Sequence, residues 1–273
     1  MTKSLSIFAI VLFGLLSLSR ADGAERFIIL ASTTSTVNSG LFDAILPAFT
    51  KKTGTQIRVV GVGTGQALRI ARQGDADALF VHHKKSEMEF VRQGYGVNRF
   101  DVMFNDFVIV GPGGDPAKIG TSKSVAAAYK SIADTKSVFI SRGDDSGTHK
   151  KSLEIWKSAA VIIAEAAPKW YREAGSGMGA TLNIASSMEA YTLTDRATWE
   201  TFKNKGNLKI LFENDPRLQN QYGIIMVNPA RHKHVKRQAV EIFINWLLSA
   251  PGQAAINGYK VNNKQVFFAN AKK

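Results

Sequence analysis

The residues best equipped for chemistry stand in one run, Ser141 to His149, which reads S-R-G-D-D-S-G-T-H. Hydroxyls at Ser141, Ser146 and Thr148 accompany the guanidinium of Arg142, the carboxylates of Asp144 and Asp145, and His149. Hydroxyls and a forked guanidinium donate hydrogen bonds readily, so the set suits capture of a small oxyanion. A hydrolase triad could be drawn from Ser146, His149 and Asp144. Ser146 and His149 lie only three residues apart on one turn, however, and no G-x-S-x-G elbow is present. A secreted hydrolase is therefore the remote alternative, and no catalytic residue is assigned.

The elements around this run would position it. Val138-Phe139-Ile140 is apolar and predicts a buried strand; Lys150 to Ala160 predicts a helix with Leu153, Trp156 and Ala160 on one face. The run is then a strand-to-helix turn with Asp144 or Asp145 as N-cap. Such a turn presents free backbone N–H groups, and the helix dipole adds about half a positive charge. The plainer reading is an ordinary capped helix.

Two further turns have the same form. Arg26 to Ala31 predicts a strand, followed by Ser32-Thr33-Thr34-Ser35-Thr36 and then Leu41, Ile45, Ala48 and Phe49 at helical spacing. One cap needs one hydroxyl, and this turn has five. Pro47 should kink or divide the helix, and Gly54 should end it. Gln56 to Val60 predicts another strand, leading through Gly61-Val62-Gly63-Thr64-Gly65-Gln66 into a helix. Its G-x-G-x-G spacing is not a dinucleotide fingerprint, and no P-loop lysine follows, so close backbone approach to something small is the better use.

Farther along, His82-His83 follows the strand Asp77 to Val81. Adjacent histidines on a strand face opposite ways, which argues against a shared metal ion. Ser86 with Glu89 reads as a capping box. Asp106 to Val110 runs into Gly111-Pro112-Gly113-Gly114, and Tyr222 to Val227 is apolar; both could cross between lobes. Pro168 to Ala174 predicts a helix, and Val235 to Leu248 a long one with Val240, Phe243, Ile244 and Leu247 inward. Strands alternating with helices predict an α/β fold with mostly parallel sheets and helices on both faces.

Residues 1–24 read as a secretory signal peptide, with Lys3 ahead of the apolar Ile7 to Leu18 and small residues after it. The apolar run is too short to span a bilayer comfortably. The net charge is +13, and loss of Lys3, Arg20 and Asp22 would leave about +12. Scattered positive charge on an exported chain fits steering of anions better than nucleic acid. With no cysteine, neither a disulfide framework nor a thiolate metal site is available.

The turn Ser32 to Ser35, followed by Thr36, Ser39, Gly40 and Leu41, resembles the hydroxyl signature of the tungstate-binding proteins of ABC importers. Segments 61–67, 94–98, 105–112, 141–149, 177–184, 191–196 and 222–229 are similar to the same family, so the resemblance covers nearly the whole mature chain. The family pattern usually reads T-T-T-S, and this chain has Ser32 in first place, which keeps the hydroxyl. The resemblance implies a two-lobed periplasmic binding protein of type II with an oxyanion in the interlobe cleft. It also implies no catalysis, no cofactor, a monomer, and an ABC transporter permease as partner. The lobes would be 25–109 with 223–273, and 110–222.

The candidate ligand-binding residues are Thr33, Thr34 and Ser35 from the first turn and Thr64 and Gly65 from the second. The third turn contributes Ser141, Arg142, Ser146, Gly147 and Thr148. Tungstate and molybdate are proton-free dianions at neutral pH and call for donors alone, whereas phosphate keeps a proton and gains from one carboxylate. Asp144 and Asp145 leave phosphate as a rival ligand.

Overall fold

The computed structural model describes residues 27–166 and 169–272. The expected signal peptide and the start of the first expected strand lie outside the described residues. Along the chain run β1 (Phe27–Thr33), α1 (Thr34–Asn38), α2 (Leu41–Thr53), β2 (Gln56–Val62), α3 (Thr64–Gln73), β3 (Ala78–Val81), α4 (Lys84–Arg92) and β4 (Gly96–Pro112). Next come α5 (Val125–Asp134), β5 (Phe139–Ser141), α6 (Gly147–Ser158), α7 (Ile163–Ala166), β6 (Tyr171–Glu173), α8 (Met178–Ser187), β7 (Thr192–Asp195), α9 (Arg196–Thr201) and β8 (Leu208–Phe212). The last are β9 (Gln219–Val227), α10 (Arg237–Leu248), α11 (Ala250–Gly258), β10 (Lys260–Val261), β11 (Lys264–Gln265) and β12 (Phe268–Ala269).

The main sheet has the order β12-β4-β9-β3-β1-β2, with β7 and β8 also paired to β4. β4 is the spine. From Gly96 to Asp106 it pairs with β9, and from Phe107 onward with β7 and β8. Its period of two divides the second half: Phe107 and Ile109 enter one apolar cluster, Val108 and Val110 another. β1 does the same, with Ile28 and Leu30 packed towards α2 and α10, and Ala31 towards α3. Phe49 of α2 meets Phe243 and Trp246 of α10 at 5.1 and 5.4 Å between ring centroids. In the other half Trp156 of α6 sits 4.3 Å from Tyr129 and 5.1 Å from Phe139. Such offset and edge contacts each add about 0.5–1.5 kcal/mol beyond area burial.

The α/β class holds, but the expectation of mostly parallel sheets is corrected. β1–β2, β1–β3 and β5–β6 are parallel, while the pairings through β4 and β9 are antiparallel. Long neighbouring strands that run through the molecule in opposite directions must pair antiparallel. Local readings also shift. The division expected at Pro47 falls instead at Gly40 (φ +79°), between α1 and α2, and Pro47 lies inside α2. β4 begins ten residues before the expected Asp106, because its backbone already pairs with β9 from Gly96, and its Arg99 is buried beside Glu87. Tyr171–Glu173 is a strand, not a helix, since its backbone pairs with β5. The buried face of α6 is Ser152, Ile155, Trp156 and Ala159, with Leu153 exposed. α10 buries the predicted Val240, Phe243, Ile244 and Leu247.

Candidate functional site

Three of the predicted turns meet at the carboxyl ends of their strands, which is where open α/β sheets bind ligands. β1 ends on Thr33, which caps α1. Its Oγ1 accepts from Thr36 N at 3.4 Å and lies 3.1 Å from Ser35 Oγ and 2.7 Å from Thr36 Oγ1. Thr33 and Ser35 are buried and Thr34 is half-buried. α1 has only five residues, so its dipole is small and its hydroxyls supply the donors. Ser32 is not among them, because its Oγ donates to Phe80 O at 2.7 Å. Serine in the first place of the signature ties β1 to β3.

β2 delivers Thr64 and Gly65 to the start of α3, and β5 delivers Ser141 and Arg142 to the approach to α6. These turns touch. Gly147 N donates to Thr64 Oγ1 at 3.1 Å, and Gly65 N donates to the carbonyl of Asp145 at 2.8 Å. The N-cap of α6 is Ser146, not Asp144 or Asp145: its Oγ accepts from His149 N at 3.1 Å. It occupies the residue immediately before the first helical one, where a short side chain reaches the third N–H. By the same geometry His83, not Ser86, caps α4.

Arg142 is 3% exposed. Its Nε donates to Ser176 O at 2.7 Å, and its Nη2 pairs with Asp144 Oδ2. Asp144 Oδ1 is buried with no hydrogen-bond partner among the described residues. Asp145 turns away, bridging Arg69 at 3.1 Å and Lys150 at 2.8 Å, with its side chain 47% exposed. Ser141 also turns away from the other turns. Its Oγ is 3.0 Å from His149 Nδ1, which already accepts from Gly143 N at 3.2 Å, so the serine is the donor. Burial lowers the His149 pKa, against the pull of Glu173. Thr148 is buried in the first turn of α6.

The structure thus brings Ser35, Thr64, Gly65, Ser146 and Gly147 together around His82 and the seam, with Thr33 and Thr34 on the same turn as Ser35, Arg142 and Thr148 on the same turn as Ser146, and Ser141 facing His149. It adds residues to which the sequence reading assigned no ligand-binding role, among them His82, weighed there only as a metal ligand. His82 follows β3 directly and is buried, with its ring 4.9 Å from that of Tyr222. Its place just past a strand end was a usable signal. Behind it lie Asn220, Asn105 and Asp195, for which no local pattern exists. A groove of about 610 Å³ opens beside this seam, lined by Arg69, Arg72, His83, Lys85, Asp145 and Lys150 among others. Its cations favour approach of an anion. A second groove, of about 710 Å³, includes none of these residues. The arrangement offers hydroxyls, first-turn amides and one buried guanidinium; Ser141 and Ser35, the serines that meet His149 and His82, are themselves buried.

Residues 18–251 match the family model described as a PBP superfamily domain. The tungstate-binding protein TupA of Peptoclostridium acidaminophilum is 46% identical over 238 residues, which are 86% of this chain and 82% of that protein. Among solved structures, that of the tungstate ABC transporter from Geobacter sulfurreducens is 48% identical with a TM-score of 0.79, covering 86% of this chain and all of its own. The tungstate-binding protein TupA from Desulfovibrio alaskensis G20 is 42% identical, also with a TM-score of 0.79, over 90% of this chain and all of its own.

Proposed function

The chain belongs to the PBP superfamily and, within it, to the family of the tungstate-binding proteins, and from that premise we propose that it captures tungstate and delivers it to an ABC transporter. Molybdate, with the same charge and nearly the same size, is a second cargo of the same site. The observation that carries this reading is the buried Arg142 beside the joined starts of α3 and α6 and the hydroxyl turn before α1. A dianion there meets donors from both sides of the seam. Thr33, Thr34 and Ser35 form one wall; Thr64, Gly65, Ser146, Gly147 and Thr148 form the other, with Arg142 balancing charge. Ser141 supports the wall by holding His149.

The lobes are 25–109 with 223–273, and 110–222. The exchange of β4 partners after Asp106 and the separate apolar clusters on its two halves support that division. Closure of the lobes would bury the anion, so cavity size and donor number would set selectivity. The protein acts in the periplasm as a monomer, exported through residues 1–24. It presents its cargo to the transporter's permease, and it binds rather than catalyses, with no cofactor and no nucleic-acid partner.

Phosphate is the second reading, and Asp144 is the observation that favours it: a carboxylate beside Arg142 could accept a proton from hydrogen phosphate. Competitive calorimetric titration with tungstate, molybdate, sulfate and phosphate decides. Tungstate should displace phosphate, and Asp144→Asn should leave tungstate binding in place. If phosphate outcompetes tungstate and Asp144→Asn abolishes its binding, the cargo is phosphate.

A further inference from the structure

His82 borders both walls of the site. Its Nε2 is 3.4 Å from Ser35 Oγ, and a Cβ on Gly147 would come within 2.9 Å of its Cε1. The position of its proton follows from the hydrogen bonds behind it. Asp195 accepts from Thr198 N at 2.9 Å and from Thr198 Oγ1 at 2.6 Å. A carboxylate only accepts, so Asn105 turns its Nδ2 to Asp195 Oδ1, at 3.5 Å. Asn105 Oδ1 then accepts from Asn220 Nδ2 at 2.7 Å, which leaves Asn220 Oδ1 facing His82 Nδ1 at 2.9 Å. Nδ1 therefore carries the ring proton, and Nε2 presents a lone pair towards Ser35. Ser35 satisfies that lone pair with its single hydroxyl proton.

A bound dianion competes for the same proton. Once Ser35 turns to the anion, the lone pair on the buried Nε2 is left facing negative charge, which is costly. A proton on Nε2 removes the repulsion and makes the ring a donor. We infer that His82 Nε2 takes up one proton from solvent as the dianion binds, so that the site captures an anion and a proton together. This rests on the oxyanion reading above.

The groups facing the ring agree with it. Arg142 and the neighbouring His83 oppose a charge on His82, Tyr222 from β9 is held protonated by burial, and β4 presents Asn105 and Phe107. α1, α3 and α6 present hydroxyls and amides. Burial, against the Asn220 hydrogen bond and aided by Arg142 and His83, holds the imidazole at about 4, so the ring is neutral before the anion arrives. The anion carries two negative charges, whereas the single positive charge of Arg142 is already paired with Asp144, so the anion reverses the balance.

The test is calorimetry of the purified chain with micromolar sodium tungstate at about pH 6.5, in buffers of different ionisation enthalpy, where uptake approaching about one proton per anion is expected. The dissociation constant should then fall by up to about tenfold per unit drop in pH below the bound-state pKa. With only five histidines in the chain, nitrogen-15 spectra of labelled imidazoles assign the site. His82 should show a bare Nε2 before tungstate and two protonated nitrogens at saturation. His82→Gln should bind more weakly and take up no proton. Tungstate binding without uptake, or a bare His82 Nε2 at saturation, overturns the inference while leaving the cargo assignment standing. Absence of tungstate binding by the unmutated chain overturns both.

Discussion

The backbone N–H of Gly65 donates to the carbonyl of Asp145 at 2.8 Å, and a Cβ on Gly65 would sit 1.5 Å from Asp145 Oδ2. The two residues lie in different strand-to-helix turns and meet where the start of α3 faces the approach to α6. A side chain at Gly65 would have to displace the Asp145 carboxylate. Gly65 is therefore glycine because of an approach across the seam, at a backbone conformation any residue could adopt.

Gly65→Ala should consequently push the Asp145 carboxylate from its place between Arg69 and Lys150. That displacement strains the adjacent backbone hydrogen bond, worth about 0.5–1.5 kcal/mol, and should weaken tungstate affinity by up to about tenfold. The thermal midpoint without ligand should change little. Unaltered affinity in a calorimetric titration would mean that the contact is not made in the liganded form.

Arg142→Ala should weaken tungstate binding by several kcal/mol. At an effective dielectric of about 20, a unit charge about 4 Å from a dianion gains about 8 kcal/mol before desolvation takes much of it back. Arg142→Lys should restore only part, since an ammonium cannot reproduce the fork that reaches Ser176 O and Asp144 at once. Equilibrium dialysis of both variants checks this; normal binding by the alanine variant would remove Arg142 from the site.

Thr34→Ala and Ser35→Ala should each cost about 1.5–3 kcal/mol in binding, the scale of a hydrogen bond to a charged partner. Ser35→Ala should be the larger, because Ser35 is buried and its hydroxyl also meets Thr33 and His82, whereas Thr34 is half-exposed. If both variants titrate like the parent, the hydroxyl turn merely caps α1.

Acid should destabilise the ligand-free protein through His82. Burial lowers its pKa from 6.5 to about 4. Between those values the unfolded chain binds a proton that the folded one refuses, so this contribution is complete above pH 6.5 and lost as pH falls towards 4. The loss should reach about 3 kcal/mol. Chemical denaturation across that range should show it, and His82→Gln should flatten the dependence. A variant with the parent's slope would place the titration on another residue.

The strand–turn–helix units before α1, α3 and α6 were legible because each is written locally. An apolar run gives the strand, hydroxyl or glycine residues give the turn, and apolar spacing gives the helix. Their donor-rich chemistry was legible for the same reason, and so was the family signature. Even there, errors of one or two residues arose where neighbours compete for one role, as Ser146 displaced Asp145 at the cap of α6.

What the sequence by itself determined is the inventory: which turns carry donors, which residue brings the positive charge, and that two carboxylates stand beside it. Only the tertiary structure decided how that inventory is spent. Ser32 is committed to Phe80 and Ser141 to His149, so two of the hydroxyls are turned inward as supports. Asp144 faces Arg142, while Asp145 faces Arg69, 76 residues away. His82 is oriented by Asn220, 138 residues away. Each of these outcomes depends on strand register and on the meeting of two turns across the seam. A hydrogen bond has the same local chemistry at either end whatever the chain between, so no pattern within a dozen residues could have assigned the partners.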